Sequence, residues 1–85
     1  MKQVLYSKSA VKIVRRMPSN EANRIASKIE QFAVDPESLA NNITGIAGTD
    51  YIRLRVGDWR VIIRESDSTI YIDKIATRGG AYDKR

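Results

Sequence analysis

The clearest pattern of hydrophobic positions lies in the first half of the chain, between Pro18 and Asp35. Its apolar residues follow steps of three and one, which is the spacing of a single buried stripe on an α-helix. The stripe consists of Ala22, Ile25, Ala26, Ile29, Phe32 and Ala33. Ser19 or Asn20 is predicted to cap the start of this helix, and Asp35-Pro36 is predicted to end it.

A shorter strand and a first helix are predicted before Pro18. Gln3–Tyr6 is typical of a short strand, and Ser7 is a suitable cap for a helix from about Lys8 to Met17. Because Pro18 interrupts the chain between the two helices, they are predicted to form an antiparallel helical hairpin.

From Tyr51 onward, the helical spacing gives way to alternation and apolar runs, which are typical of strands. The predicted strands are Tyr51–Val56, Trp59–Arg64 and Thr69–Ala76. A two-residue type II′ turn at Gly57-Asp58 joins the first two, and Glu65–Ser68 forms the next turn. Asn41–Thr49, which precedes these strands, is predicted to be a loop.

The element order is therefore β-α-α-β-β-β within one domain that spans residues 1–85. This order predicts an α+β fold in which an antiparallel sheet carries the helical hairpin on one face.

The register of the hairpin determines where its arginines lie. If Gly57 and Asp58 are the loop residues, Arg55 lies directly opposite Arg60. Alternation then places Ile52, Leu54, Val56, Trp59, Val61 and Ile63 on the face that meets the helices. The opposite face carries Tyr51, Arg53, Arg55, Arg60, Ile62 and Arg64. A slip of one residue in either strand would bury arginine, so the register is well specified.

Four arginines on one sheet face need an explanation, because like charges directly opposite each other destabilise a sheet. They indicate an anion site, in which a bound anion offsets the repulsion. Guanidinium groups hold phosphates through two parallel hydrogen bonds. The alternative is a solvated face, or arginines paired with Asp58, Asp73 or Glu65. A four-residue loop before the last strand would put Tyr71, Asp73 and Ile75 on the arginine side, with Asp73 as a candidate partner of Arg60.

The overall charge favours a polyanionic partner. Fifteen Lys and Arg against ten Asp and Glu give a formal net charge of +5 on 85 residues. The alternative is a charge that serves solubility alone.

Several classes of chemistry lack the residues they need. The chain has no cysteine and no histidine, so disulfides, a zinc site and a Ser-His-Asp triad are not expected, and no cofactor is predicted. The first residues contain no apolar signal region and no segment approaches the length of a membrane span, so a cytoplasmic protein is expected.

The C-terminal tail adds cations and an aromatic side chain after the last strand. Gly79-Gly80 permits a tight turn that would bring Arg78 and Tyr82 beside the hairpin arginines, and Lys84 adds a further cation. A tyrosine beside arginines suits single-stranded RNA, because the ring stacks on a base. The alternative is that the ring of Tyr82 packs against the sheet edge.

The run YIRLRVGDWRVI, from Tyr51 to Ile62, resembles the central hairpin of the RelE/ParE superfamily of toxins from type II toxin–antitoxin systems. The segment IATRGGAY, from Ile75 to Tyr82, resembles their C-terminal arginine-to-tyrosine segment. The length and element order also agree, so the resemblance covers nearly the whole chain. RelE-like members cut mRNA on the ribosome, whereas ParE-like members of the same fold inhibit DNA gyrase.

By this resemblance, Arg60, Arg78 and Tyr82 are the expected catalytic residues. Arg60 matches the arginine on the scissile phosphate, Arg78 the later arginine and Tyr82 the C-terminal tyrosine. The expected RNA-binding residues are Arg53, Arg55, Arg64, Tyr51 and Lys84. The chain departs from the family at two places. Arg53 and Arg55 stand where the family has a lysine that is proposed as general base. Thr77 stands where a histidine often precedes the later arginine.

The resemblance implies a metal-independent endoribonuclease that inhibits translation, with mRNA, the ribosome and a cognate antitoxin as partners and no membrane or small-molecule cofactor. The RNA 2′-hydroxyl would attack the adjacent phosphorus. Tyr82 is one candidate for the proton acceptor, and ribosomal RNA or the substrate geometry is another. The alternative functions are a gyrase inhibitor of the same fold and a basic RNA-binding module without catalysis.

Overall fold

The computed structural model describes residues 2–77 of the chain as helices packed on a five-stranded sheet. In chain order the elements are β1 Gln3–Tyr6, α1 Lys8–Arg16, α2 Ser19–Val34, a 3₁₀ helix Pro36–Asn42, β2 Ile43–Gly45, β3 Ile52–Val56, β4 Trp59–Glu65 and β5 Thr69–Thr77. The α+β class and the pair of helices packed on the sheet are confirmed.

The starts of the two helices are built differently. Ser7 caps α1 as predicted, because its Oγ accepts a hydrogen bond of 3.0 Å from the backbone N–H of Ala10. The predicted side-chain cap of α2 is wrong. The helix begins directly after Pro18, whose carbonyl accepts the backbone N–H groups of Glu21 and Ala22, and Ser19 is already helical.

The predicted stripe of α2 supplies one side of the core. Ile25, Ile29 and Phe32 are buried, whereas the small residue Ala26 of the same stripe is exposed. These side chains pack against the inner face of the sheet. The buried sheet residues in this cluster are Leu54, Val56, Val61, Ile63, Ile70, Ile72 and Ile75.

The strand order is β1-β5-β4-β3-β2. The antiparallel prediction holds for β2 to β5, but β1 pairs with β5 in parallel, so the sheet is mixed. A tight turn after β1 would require the next strand to pair with it in the antiparallel direction. Because two helices follow β1 instead, a parallel partner is possible. Strand β2 lies inside the predicted loop, and its three residues are too few to show alternation.

The register of the β3–β4 hairpin is confirmed. Arg55 pairs with Arg60 and Val56 with Trp59. Gly57 has a φ of +61° and Asp58 has a negative φ, as a type II′ turn requires. A Cβ at Gly57 would also meet the guanidinium of Arg24 at 3.1 Å, so the exposed Arg24 side chain would have to shift.

A β-bulge interrupts the pairing of β4 with β5. Ile62 pairs with Lys74 and Ile63 with Ile72, so Asp73 is an extra residue on β5. The carbonyl of Asp73 accepts a hydrogen bond of 2.8 Å from the Oγ of Ser7. One hydroxyl therefore both caps α1 and satisfies the carbonyl of the bulge.

We expect Ser7→Ala to destabilise the protein by about 1–3 kcal/mol, because it removes the helix cap and the bond to the bulge together. Ser9→Ala is the matched control. The Oγ of Ser9 lies 3.4 Å from the same carbonyl, so its loss should cost less than about 0.5 kcal/mol. Urea unfolding of both variants measures the difference, and equal stabilities would contradict this role of Ser7.

Candidate nucleic-acid interface

The sheet face turned away from the core carries a cluster of basic side chains that we call the cationic face. It consists of Arg53 and Arg55 on β3, Arg60 and Arg64 on β4, and Lys74 on β5. The residues between them in sequence are the buried Leu54, Val61 and Ile63, which point to the helices. The predicted placement of all four hairpin arginines on one side of the sheet is therefore confirmed.

The bulge determines what β5 contributes to this face. Tyr71 lies opposite Arg64 on the cationic side, as predicted. Beyond Asp73 the alternation shifts by one residue, so Ile75 is buried against the core and Lys74 takes the outer position. The prediction that Ile75 lies on the arginine side is wrong. A cation thus stands on this face where regular alternation would have placed an aspartate.

Arg60 occupies a distinctive position on the cationic face. It lies between Arg55 on β3 and Ala76 on β5, so Asp73 is not its cross-strand partner. Its side chain is half-buried, and one guanidinium nitrogen donates to the carbonyl of Trp59 at 3.3 Å. Its cross-strand neighbour Ala76 carries only a methyl side chain.

Trp59 is anchored on the helix side of the sheet. Its Nε1–H donates a 2.7 Å hydrogen bond to the Oε1 of Glu21 on α2. The carbonyl that holds Arg60 therefore belongs to a residue that is tied to the core. Sequence reasoning assigned Trp59 to the inner face but gave no signal for Glu21, because the two residues are 38 positions apart.

Arg53 is the second residue of β3 and is half-buried between Thr44 of β2 and Ile62 of β4. Ile62 is only 8% exposed although it lies on the outer face. Ile62 pairs with Arg53 on one side and Lys74 on the other, so the alkyl parts of these two side chains flank the apolar side chain of Ile62.

Arg64 and Tyr51 lie at the far end of the hairpin. The guanidinium carbon of Arg64 lies 4.4 Å above the centre of the Tyr71 ring, within the range of a cation–π contact. Tyr51 precedes β3 and its backbone N–H donates to the Oγ1 of Thr49 at 3.0 Å. Sequence reasoning did not include Tyr71 or Lys74 among the site residues. The uneven spacing of Ile70, Ile72 and Ile75 is the signal that would have revealed the bulge.

For Arg55, Arg60 and Arg64, neutralisation by internal carboxylates is not supported within residues 2–77. There, Glu65 pairs with Lys2 at 2.9 Å, and none of Arg55, Arg60 and Arg64 forms an ion pair with a carboxylate of that range. Like charges on neighbouring strands repel unless an anion lies between them. The arrangement can therefore hold phosphate oxygens.

Three predicted site residues, Arg78, Tyr82 and Lys84, lie outside the residues that the structure describes. Over residues 2–77, no group of three His, Cys, Asp or Glu side chains is arranged to hold a metal ion. Nor is any helix in that range long and apolar enough to cross a membrane.

Several solved structures of toxin–antitoxin complexes are similar to this fold. The chain aligns with a chain of the RelB–RelE antitoxin–toxin complex from Methanococcus jannaschii at 28% identity and a TM-score of 0.75, covering 95% of this chain and 98% of that one. For the archaeal RelE–RelB complex from Pyrococcus horikoshii OT3 the identity is 27% and the TM-score 0.77, with 92% and 96% covered. The E. coli RelBE complex, at 16% identity and a TM-score of 0.74 over both full chains, shares the fold.

No protein-family model matches the sequence, and no curated protein matches it significantly. The likeness is therefore carried by the structure, and it confirms the resemblance that the hairpin and the C-terminal segment suggested. The described structure therefore has the fold of RelE-like toxins, and the chain is similar to the RelE–RelB structures from the two archaea.

We expect neutralising Arg55 to stabilise the hairpin. Arg55→Gln should raise the free energy of unfolding by about 0.5–1 kcal/mol at low salt, since it removes the repulsion from Arg60. Arg55→Lys keeps the charge and is the matched control. The gain should shrink in high salt, where the repulsion is screened. Equal stability of the two variants in urea unfolding at low salt would show that the pair does not repel.

Proposed function

We propose that this chain is the toxin of a type II toxin–antitoxin system and that it cuts mRNA on the ribosome. The observation that carries the proposal is the cationic face, where Arg55, Arg60 and Arg64 share one side of the sheet without a carboxylate partner among residues 2–77. The RelE-like fold supports the same conclusion, because the structures it matches at 27–28% identity are RelE–RelB complexes.

The chemistry of the face suits a phosphodiester substrate. A guanidinium group donates two parallel hydrogen bonds to phosphate oxygens and keeps its charge at any physiological pH. Arg60 is the proposed ligand of the reacting phosphate, since it is half-buried and its guanidinium donates a hydrogen bond to the carbonyl of Trp59. Arg53 and Arg55, on the neighbouring strand, are proposed to hold the RNA backbone.

In the proposed reaction, the 2′-oxygen of one nucleotide attacks the adjacent phosphorus. A bond forms between these two atoms, and the bond from phosphorus to the 5′-oxygen of the next nucleotide breaks. The products are a 2′,3′-cyclic phosphate and a free 5′-hydroxyl, which receives a proton. No metal is needed if the arginines align the groups and stabilise the charge that develops on the phosphoryl oxygens.

The 2′-hydroxyl must also lose its proton during the attack. Arg53 and Arg55 are poor acceptors, because an arginine stays protonated in proteins. The two candidates are Tyr82 and a group of the ribosome. Tyr82→Phe distinguishes them, because it keeps the ring for stacking and removes only the hydroxyl. The variant loses cleavage if the phenol takes part in proton transfer and keeps it if a group of the ribosome accepts the proton.

A cognate antitoxin is proposed as the partner that restrains the toxin. The structures similar to this chain at 27–28% identity are complexes of RelE with RelB, and the one from Methanococcus jannaschii is an antitoxin–toxin complex. A formal net charge of +5 suits an acidic segment that wraps the toxin. Co-purification with a small acidic protein encoded beside it tests this partner, and harmless expression of the toxin alone would speak against it.

We expect Arg60→Ala and Arg78→Ala each to abolish growth arrest and to slow cleavage by about 10²–10³-fold, because each removes a donor to the phosphoryl oxygens. Arg15→Ala, an exposed arginine on α1, is the matched control for loss of one positive charge. Growth after induction and primer extension on a translated message measure the two effects. Full toxicity of both site variants would contradict the proposal.

Ribosome dependence is tested by primer extension with purified ribosomes and without them. We expect cleavage at defined positions only when ribosomes are present, because the ribosome holds the mRNA in the geometry that the attack requires. Intact mRNA together with a DNA-damage response would instead support inhibition of gyrase. Binding of RNA without cleavage under either condition would support a non-catalytic module.

A further inference from the structure

The stack of Arg64 on Tyr71 lies on the cationic face, away from Arg60. The two residues are directly opposite each other on β4 and β5, and the guanidinium carbon lies 4.4 Å from the ring centre. Tyr71 is half-buried and Arg64 is exposed. The guanidinium therefore lies over the ring, while the Arg64 side chain as a whole remains accessible to solvent.

A guanidinium held in this way is a platform for a nucleobase. Unpaired bases of single-stranded RNA stack on aromatic rings and on the planes of arginine side chains. The contact with Tyr71 restrains the side chain before a ligand arrives, so less rotational freedom is lost on binding. The N–H groups at the edge of the guanidinium stay available to phosphate or base oxygens.

The position of the stack relative to Arg60 suits a neighbouring nucleotide. Arg60 and Arg64 are four residues apart on β4, which corresponds to about 13 Å along the strand. Lys74 lies between them across the ladder, opposite Ile62. Cations thus follow one line along the sheet from Arg60 through Lys74 to Arg64.

The bulge at Asp73 is what places Lys74 and Tyr71 on the same face. They are three residues apart on β5, and regular alternation would point them to opposite sides of the sheet. With the extra residue, both stand on the outer side, opposite Ile62 and Arg64. Bulges of this kind frequently re-aim side chains beside functional sites.

We propose that Arg64, stacked on Tyr71, is a base-stacking subsite for a nucleotide next to the cleaved phosphodiester, with Lys74 holding the phosphate between them. The identity of the ligand as single-stranded RNA rests on the proposed function. The subsite selects unpaired strands, because a base inside a duplex cannot place its face against the guanidinium.

The test uses short RNA whose 2′-oxygens are methylated, so that it cannot be cleaved. The fluorescent base 2-aminopurine is placed at each position in turn, and a second series carries an abasic nucleotide there. With the full-length chain, we expect quenching at one position. Arg64→Lys, which keeps the charge but loses the plane, should weaken binding of the intact RNA about tenfold and of the matching abasic RNA less than twofold.

Three further variants sharpen the result. Tyr71→Leu should reproduce the loss, since the guanidinium is then no longer held, and Tyr71→Phe should lose less because it keeps the ring. Arg15→Lys makes the same chemical change as Arg64→Lys on α1 and should leave the ratio of intact to abasic binding unaltered. Because that ratio is taken within one variant, a partly misfolded fraction cancels.

Equal losses for intact and abasic RNA, no loss in Arg64→Lys, or no RNA binding by the wild type would each overturn the subsite. The endonuclease is judged separately, by primer extension with ribosomes. Position-specific quenching without ribosomal cleavage would sustain the subsite and refute the nuclease. Cleavage without a base-dependent loss would do the reverse.

Discussion

The structure depends on the register of the β3–β4 hairpin. A two-residue turn fixes which residues oppose each other, and the alternation of side chains then sends every hairpin arginine to one side and the large apolar residues to the other. Burial of Leu54, Val61 and Ile63 against the helices holds this register. A slip of one residue would place an arginine in the core, where an unpaired charge is very costly.

The burial that holds the sheet also creates the repulsion on its outer face. Because the inner face is occupied by the core, Arg55 and Arg60 must stand opposite each other, each such pair being destabilising by up to about 1 kcal/mol. The bulge adds Lys74 to this face. A fold selected for stability alone would place neutral or acidic residues there, and this excess of positive charge is the physical basis of the proposed anionic ligand.

Ser7 and Glu21 show how the site is attached to the rest of the molecule. Ser7 caps α1 and satisfies the carbonyl of Asp73, which links the first helix to the bulge that exposes Lys74. Glu21 of α2 receives the indole N–H of Trp59, whose carbonyl in turn accepts a hydrogen bond from Arg60. The two helices therefore help to position the cationic face from the opposite side of the sheet, although neither helix contributes a residue to that face.

Sequence by itself determined the parts of the fold that depend on neighbouring residues: the stripe of α2, the cap of α1, the glycine of the turn and the sidedness of the hairpin. These follow from periods of 3.6 and 2, and from backbone angles that only glycine adopts readily. It also led to the resemblance to RelE-like toxins, through the hairpin and the C-terminal segment.

Tertiary structure alone decided the parallel pairing of β1, the strand hidden in Ile43–Gly45, the bulge at Asp73 and the stack of Arg64 on Tyr71. Each of these joins segments that are distant in sequence or too short to show a period. Their geometry depends on which backbone groups and side chains come into contact across the sheet, and the local propensity of each segment does not determine those contacts.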